Sequence, residues 1–301
     1  MLLQQIINGL TLGAVYALIA LGYTMVYGIL QLINFAHGEV YMLGAYLGII
    51  ILGFLTSIGL TAISLPLSIS ITLVLSMLFC AAYGMTIERI AYKPLRNAPR
   101  LSPLISAIGV SIFLQNFVML SQGATDKVFP PILKAEGLSI LNARITFLQI
   151  FIIIASILMM AGLHLFIMKT RLGKAMRATA QDRKMAVLLG IDIDRVISIT
   201  FIIGSGLAAA AGVMVAMYYG LVNYFIGYVA GIKAFTAAVI GGIGSIPGAM
   251  LGGILLGLLE AFGAGYISSE YKDVFAFGLL IIILILRPEG LLGKQFGERS
   301  K

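Results

Sequence analysis

Long apolar segments recur along the chain and are separated by short polar connections. Most of these segments are about 20 residues long, which is the length of α-helix that crosses a hydrocarbon core of about 30 Å. We predict nine spans, with eight or ten as the alternatives. Their predicted bounds are 6–30, 39–58, 62–85, 101–121, 145–168, 196–219, 228–244, 247–265 and 273–287. The pattern therefore predicts an all-α fold, a polytopic membrane helix bundle.

Composition agrees with this architecture. The chain of 301 residues is 60% hydrophobic and only 11% charged, with a mean hydropathy of +1.05. An ordinary soluble domain carries about 25% charged residues. The predicted spans occupy most of the length and leave no room for a separate soluble domain. We therefore predict that residues 1–301 form a single transmembrane domain.

Signatures of catalysis, metal binding and redox chemistry are missing from the sequence. The single cysteine, Cys80, lies in an apolar run, and no CxxC or HxxxH pair is present. The stretch GGIGSIPG at 241–248 resembles a phosphate-binding loop but lacks its lysine, and no GxSxG or HExxH motif occurs. We predict a non-catalytic chain without a cofactor. If it moves a solute uphill, the energy must come from an ion gradient or from a separate ATPase.

The distribution of basic residues predicts the topology. The connections 86–100 and 169–195 and the tail from Arg287 hold four, seven and four of the 20 Lys and Arg residues. Short cytoplasmic loops are enriched in such residues, so these three regions are predicted to be cytoplasmic. With an odd number of spans, the N-terminus and the 122–144 connection are then outside. The formal charge of +8 is explained by this topology, and we predict no nucleic-acid partner.

A weak internal repeat links the two halves of the chain. Tyr27-Gly28 followed by Asn34-Phe35 resembles Tyr219-Gly220 followed by Asn223-Tyr224, with an offset that differs by three residues. The first span and the span at 196–219 are predicted to run in opposite directions, as in the inverted repeats of many transporters. The Gly-rich stretch that follows, 220–272, predicts either two full spans or a broken, re-entrant pair of helices.

Three polar residues, Asn34, His37 and Glu39, interrupt the apolar run near the end of the first span. Ionisable residues within spans are costly and often mark transport pathways, and Glu260 is a further example. The predicted topology instead places 31–38 at a cytoplasmic turn, where Asn34 caps the next helix and Glu39 complements its positive end. We predict that the three residues hold an inner gate near the pathway.

The segment from Thr170 to Val196 is too polar to span a membrane. Within it, residues 178–190 are predicted to form a short amphipathic helix that Gly190 ends. Ala178, Met185, Leu188 and Leu189 can share one side of this helix. A charged helix of this kind suits docking to another protein, although Lys and Arg residues on both sides are also typical of a helix that lies on lipid.

Six stretches of the chain carry a resemblance to a known family. They are INGLTLGAVYALIALGYTMVYG (7–28), INFAHGEVYMLGAY (33–46), YGMTIERIAYKPLR (83–96), ISAIGVSIFLQN (105–116), RATAQDRKMAVLLGID (177–192) and KAFTAAVIGGIGSIPGAMLGG (233–253). In this order they resemble the LivH-type permease of bacterial branched-chain amino acid ABC importers. The resemblance covers nearly the whole chain, with the least in 122–144.

The resemblance implies a subunit of the bacterial inner membrane that works in a complex. Its implied partners are a second, LivM-like permease, two cytoplasmic ATP-binding subunits and a periplasmic amino-acid-binding protein, in addition to the lipid bilayer. The implied substrates are leucine, isoleucine and valine. Relatives that carry urea, amides or other amino acids leave the substrate open, and an ion-coupled secondary carrier is the alternative outside the family.

The resemblance also implies roles for particular residues. The predicted helix at 178–190, within the ATPase-coupling segment at about 170–195, matches a degenerate form of the EAA motif that lacks its leading Glu. The characteristic positions of this motif are Ala178, Ala180, Asp182, Ala186 and Gly190. The predicted gate or pathway residues are Asn34, His37, Glu39, Asn223, Gly241, Gly242 and Gly244.

Overall fold

The computed structural model describes residues 1–96, 98–99, 101–130, 137–140 and 143–293. Within these residues the chain is almost entirely helical. The α-helices are α1 (Leu2–Leu30), α2 (His37–Ser57), α3 (Leu60–Ile63), α4 (Leu65–Ile87), α5 (Leu101–Gln122), α6 (Phe147–Lys169), α7 (Arg171–Gln181), α8 (Arg183–Leu188), α9 (Ile193–Tyr219), α10 (Ile226–Gly241), α11 (Ile246–Tyr266) and α12 (Lys272–Leu286). A π-helix (Glu88–Tyr92) and a 3-10 helix (Lys93–Leu95) extend α4, and a second 3-10 helix (Ser269–Tyr271) precedes α12.

Four short strands complete the secondary structure of the described residues. Strand β1 (Lys127–Val128) pairs antiparallel with β4 (Leu221–Val222), so the connection after α5 meets the connection after α9. Strands β2 (Gly137–Ile140) and β3 (Ala143–Thr146) form a hairpin that leads into α6. Both sheets have two strands and lie at the ends of helices rather than in the core.

Each of the nine predicted spans coincides with one long helix. Seven of these helices are long and apolar enough to cross a membrane: α1, α2, α4 with its extension, α5, α6, α9 and α11. The other two, α10 and α12, have 16 and 15 residues, or about 24 and 22 Å at 1.5 Å per residue. The prediction of a polytopic helical bundle is confirmed, while the number of nine crossings stays a prediction.

Side chains before the helices fix where several of them begin. Thr146 and Gln149 form a capping box at the start of α6, in which each side chain accepts a hydrogen bond from the other residue's backbone N–H. The hydroxyl of Ser245 accepts from the backbone N–H of Gly248 at the start of α11, and Asp192 does the same for Arg195 in α9. Such caps satisfy N–H groups that a helix start leaves free.

Hydrogen bonds group the ends of the helices into two faces. At the N-terminal face (residues 1–8, 123–130, 137–140, 143–146 and 220–223), Gln4 Nε2 donates to the carbonyl of Arg144 at 3.2 Å. At the C-terminal face (residues 29–31, 88–96, 170–195 and 287–293), Arg183 Nε donates to the carbonyl of Ile29 at 2.8 Å. Helix α1 therefore runs from the N-terminal face to the C-terminal face, and α9 runs in the opposite direction.

Most of the basic connections lie at the C-terminal face, in agreement with the charge pattern used to predict the cytoplasmic side. The described residues include the extension of α4 and the whole 169–195 connection. Arg100, Lys294, Arg299 and Lys301, which also contributed to that prediction, lie outside the described residues. The assignment of the C-terminal face to the cytoplasm stays a prediction.

Equivalent helix contacts link the two halves of the chain. Helix α1 packs on α11, and α9 packs on α4, so the first long helix of each half contacts a later helix of the other half. Helix α2 packs on α9 as α10 packs on α1. Both α4 and α11 begin with Ser, an aliphatic residue and Pro, at 64–66 and 245–247. Together with the opposite directions of α1 and α9, this arrangement supports the predicted inverted repeat.

The connections after α1 and α9 have the same backbone pattern. Gln31 and Gly220 end these helices in the left-handed region, with φ of 54° and 72°. Three residues later, the carbonyl of Asn34 accepts from the N–H of His37 at 3.0 Å, and the carbonyl of Asn223 accepts from the first residue of α10 at 3.3 Å. Asn34 and Asn223 are therefore equivalent.

The sequence alignment of the repeat at Gly28 and Gly220 is wrong by three residues. The residue that turns the chain after α1 is Gln31, a non-glycine residue with a positive φ, so the glycine was the wrong marker. With Gln31 aligned to Gly220, the offset disappears, and Gly38 aligns with Gly227.

Helices α1 and α9 form the buried centre of the bundle, whereas α4, α5 and α6 leave most of their apolar side chains at least partly exposed. Glycines let α1 and α11 approach closely. A Cβ atom on Gly13 would lie 2.7 Å from the Cα of Ile254, and one on Gly9 would lie 2.8 Å from the Cα of Leu258. Lipid supplies no hydrophobic force between helices, so close packing of this kind holds the bundle together.

Gly257→Ala should destabilise the bundle because its Cβ would collide with the backbone of Gly13. Overpacking of this kind costs about 1–3 kcal/mol. We expect a lower melting temperature of the detergent-purified protein. Gly162→Ala in α6 is the matched control, since no atom lies within 4 Å of its Cβ position. Equal melting temperatures for the two variants would contradict the close packing of α1 and α11.

The predicted sidedness can be tested with single cysteines, because the natural Cys80 is buried. Thr125→Cys lies at the N-terminal face and Lys184→Cys at the C-terminal face, and both positions are exposed. A membrane-impermeant maleimide should label Thr125→Cys in intact spheroplasts and Lys184→Cys only after permeabilisation. The reverse pattern would invert the topology.

Candidate functional site: two broken helices and a coupling segment

Helix α2 begins inside the bundle rather than at its surface. The connection 31–36 turns back along α1, so that the ring of His37 lies against Gly22, where a Cβ would overlap it. Gly22 lies eight residues before the end of α1, or about 12 Å along the helix. The start of α2 is therefore about two turns deep from the C-terminal face.

The start of helix α10 meets the start of α2 inside the bundle, and its connection 220–225 comes from the opposite, N-terminal face. A Cβ atom on Gly38 would lie 2.8 Å from the Cα of Gly231, and one on Gly227 would lie 2.7 Å from the carbonyl oxygen of Gly38. The starts of the two helices are thus in direct contact through glycine backbone. In 220–272 the structure has the 16-residue α10, which begins inside the bundle, followed by the 21-residue α11. The choice between two full spans and a re-entrant pair stays a prediction.

Residues 31–38 are predicted to lie at a turn between two spans, but the structure buries His37 and Glu39 inside the bundle. Asn34, His37 and Glu39 are only 4%, 2% and 1% exposed, because the connection 31–36 carries them into the bundle. Asn34 does not cap α2 with its side chain, since the N-cap residue is Ala36 and no side chain caps it. The side-chain oxygen of Asn34 instead accepts a hydrogen bond from the hydroxyl of Tyr92 at 2.9 Å.

Only one of the two carboxylate oxygens of Glu39 has hydrogen-bond partners among the described residues. Its Oε1 accepts hydrogen bonds from Ser111 Oγ at 3.0 Å and from Gln115 Nε2 at 2.8 Å, both in α5. Its Oε2 is buried and has no hydrogen-bond partner among the described residues. A Cβ on Gly227 would lie 2.5 Å from this oxygen, so Oε2 lies against the start of α10.

The other predicted gate residues lie in the two connections on either side of α10. Asn223 precedes α10, and its Oδ1 accepts from the N–H of Phe225 at 3.1 Å. Gly241, Gly242 and Gly244 form the tight turn between α10 and α11, where the last two have φ of 103° and 94°. This turn packs on residues 289–293 at the C-terminal face. The structure therefore groups Asn34, His37 and Glu39 but not the glycines.

The coupling segment consists of two helices, so the prediction of one helix over 178–190 is wrong. Asp182 has an extended backbone that ends α7, and its Oδ1 accepts from the N–H of Met185 at 3.1 Å to begin α8. Gly190 has a φ of 78° and follows α8, as predicted. The break arises because an Asp side chain competes for backbone N–H groups and favours a helix start.

The helix α8 presents an apolar surface to the outside. Met185, Leu188 and Leu189 are exposed, with Leu188 at 79%. Ala186 is buried against the rest of the chain, whereas Ala178 and Ala180 in α7 are half-buried. The predicted apolar side of the segment thus exists, although Ala178 lies on the other helix.

Arg183 connects α8 to the end of α1. Its Nε and Nη2 atoms both donate to the carbonyl oxygen of Ile29, two residues before the turn at Gln31. Burial and the nearby Arg96 lower the pKa of the Arg183 guanidinium from its usual value. The side chain therefore binds a carbonyl that the helix end leaves without an intrahelical partner.

A cluster of ion pairs joins the neighbouring helices at the same face. Arg96 pairs with the buried Glu88 and with Asp194 at the start of α9. Lys93 pairs with Asp194 at 2.8 Å, and Ser198 donates to Glu88 at 2.8 Å. This cluster joins the extension of α4 to α9. No local sequence pattern indicates this cluster, because Glu88 and Asp194 are about a hundred residues apart.

Glu260 belongs to a buried ion-pair cluster that the sequence analysis missed. Lys233 of α10 pairs with Glu260 of α11 and, at 2.7 Å, with Asp273 of α12. The hydroxyl of Tyr16 donates to Glu260 at 2.6 Å. A lysine within the apolar segment 228–244 was the available signal. Since Lys233 neutralises Glu260, this carboxylate is explained by helix packing.

The described residues contain no group of three or more His, Cys, Asp or Glu side chains that could hold a metal ion. The polar groups of the site are therefore hydrogen-bonding and charged side chains around two helix starts. Such an arrangement can bind and release a polar solute, and it has no nucleophile held by a general base.

Comparison with known proteins gives the family. The profile of the family described as branched-chain amino acid transport system / permease component matches residues 5–284. The chain is 56% identical over 301 residues to the high-affinity branched-chain amino acid transport system permease protein BraD of Pseudomonas aeruginosa, covering 99% of this chain and 97% of that protein.

A second relative belongs to the same kind of transport system. The permease protein LivH of the high-affinity branched-chain amino acid transport system of Escherichia coli K12 is 51% identical over 301 residues, which cover 99% of this chain and 97% of LivH. No solved structure matches the chain. The chain belongs to the family of permease components of branched-chain amino acid transport systems.

Proposed function

We propose that this chain is the LivH-type permease subunit of an ATP-driven importer of leucine, isoleucine and valine. The observation that carries the proposal is the 56% identity, over nearly the full length of both chains, to a permease of a high-affinity branched-chain amino acid system. The chain itself is non-catalytic in this proposal. Separate cytoplasmic subunits hydrolyse ATP, and a periplasmic binding protein delivers the amino acid.

The proposed complex lies in the bacterial inner membrane and contains two permeases. The second permease is a LivM-like subunit, and each of the two ATPases docks on a coupling segment. The exposed apolar side of α8 and the basic residues around it support docking at the C-terminal face. The periplasmic binding protein docks at the opposite, N-terminal face.

The hydrogen bonds of the C-terminal face suggest how ATPase movement reaches the pathway. A displacement of α8 pulls on the carbonyl of Ile29 through Arg183. Ile29 lies two residues before the turn from which the connection 31–36 enters the bundle. The start of α2 and its contact with α10 are thus linked to the docking helix by a short stretch of chain.

The proposed function can be tested by reconstituting the chain with its LivM-like partner, the ATPases and the binding protein in proteoliposomes. Leucine uptake should require ATP and persist with a protonophore. Uptake that needs a proton gradient and no ATP would favour the ion-coupled carrier. ATP-driven uptake of urea or amides, without leucine uptake, would keep the importer mechanism but contradict the substrate.

Arg183→Gln should uncouple ATP hydrolysis from transport, because the charged donor to Ile29 is lost. A hydrogen bond from a charged group contributes about 1.5–3 kcal/mol. We expect the amount of leucine transported per ATP to fall about tenfold. Lys184→Gln, at the exposed neighbouring position, removes the same charge and is expected to leave this ratio unchanged. The linkage is wrong if both variants have the wild-type ratio.

Asp182→Ala should weaken ATPase docking, because α8 loses its N-cap. A cap contributes about 1 kcal/mol, so the affinity of the permease for the ATPase should fall about fivefold in a titration. Asp182→Asn is the matched control, since Asn caps a helix as well as Asp does. If Asp182→Asn weakens docking as much as Asp182→Ala, the carboxylate charge and not the cap is important.

A further inference from the structure

The Glu39 carboxylate is not explained by helix packing alone. One oxygen is held by two neutral donors from α5, and the other is buried without a partner among the described residues. A buried carboxylate is costly unless a cation or several hydrogen bonds compensate it. This distinguishes Glu39 from Glu260 and Glu88, each of which has a basic partner.

The basic residues of the surrounding helices are occupied elsewhere. Lys233, which lies six residues after Gly227 on α10, pairs with Glu260 and Asp273. Arg96 pairs with Glu88 and Asp194. No described basic side chain forms an ion pair with Glu39, so a cation from outside the chain could fill that role.

The free oxygen faces the place where two helices begin. Both α2 and α10 start there, and a helix start carries a partial positive charge. Gly227 has no side chain, which lets the backbone of α10 approach the oxygen. Phe225 and Tyr228, at the start of α10, are exposed at the surface of the subunit.

We propose that Oε2 of Glu39 binds the α-ammonium group of the amino acid when the starts of α2 and α10 separate and the amino acid passes between them. The partial positive charge of the two helix starts lies on the same side and suits the carboxylate of the amino acid. The proposal deepens the proposed function, on which it rests. It makes Glu39 a recognition residue for the zwitterion, in addition to a link between α2 and α5.

Glu39→Gln separates these two roles. The amide oxygen can still accept from Ser111 and Gln115, so the link to α5 remains, while the charge is lost. In proteoliposomes with the complete complex, we expect leucine transported per ATP to fall at least about tenfold. ATP hydrolysis stimulated by the loaded binding protein should stay at the wild-type level. Ser111→Ala removes one hydrogen bond of the link but keeps the charge, so its loss should be smaller.

A second measurement tests the ligand chemistry without transport. The melting temperature of the detergent-purified complex, without its binding protein, is measured with 3-methylbutan-1-amine and with 3-methylbutanoate. The amine should stabilise the wild type more than the acid does, and Glu39→Gln should abolish this difference. Equal stabilisation of the wild type and Glu39→Gln by the amine would overturn the proposal.

The outcomes also distinguish this inference from the proposed function. Wild-type transport of leucine together with normal transport by Glu39→Gln would overturn the ammonium site alone. A loss in Ser111→Ala as large as that in Glu39→Gln would reduce Glu39 to a structural link and also overturn it. Absence of leucine transport by the wild-type complex would overturn the proposed function, while the amine measurement would still test the site.

Discussion

The need to pair backbone N–H and C=O groups away from water is the constraint on which the structure depends. In a lipid environment, non-helical backbone is tolerated only where protein encloses it or where it lines a polar cavity. The connections 31–36 and 220–225 are non-helical and lead into helix starts in the interior. They can exist because α1 and α9 form a buried centre around which the other helices pack.

Glycine residues let the helices approach closely enough to enclose these connections. The contacts of Gly38 with Gly231 and of Gly227 with Gly38 leave no room for a Cβ atom between α2 and α10. Elsewhere in the bundle, Gly13 and Gly257 bring α1 against α11. The same residue type thus serves two purposes. It packs the central helix α1 tightly on α11, and it lets the two broken helices meet where the Glu39 carboxylate lies.

The sequence predicted the helices better than the positions of their polar residues. Apolar segments of about 20 residues located the long helices, and Gly190 marked the end of α8. The placement of His37 and Glu39 at a surface turn failed because a span was assumed to begin where its neighbour ends. A re-entrant connection carries the residues that follow it about two helical turns into the bundle. The spacing of apolar and polar residues along the sequence is the same in both cases. The pairing of Lys233 with Glu260, and the turn at Gln31, likewise depend on three-dimensional contacts that no local pattern encodes.

The proposed coupling requires that the connection 31–36 moves when the ATPases act on the coupling segment. The most direct measurement is the distance between spin labels at Leu32→Cys, in this connection, and Tyr228→Cys, at the start of α10, in the reconstituted complex. We predict that the distance distribution differs between the nucleotide-free and ATP-bound states, and that Arg183→Gln reduces this difference. An unchanged distance distribution in a complex that transports leucine would contradict this coupling.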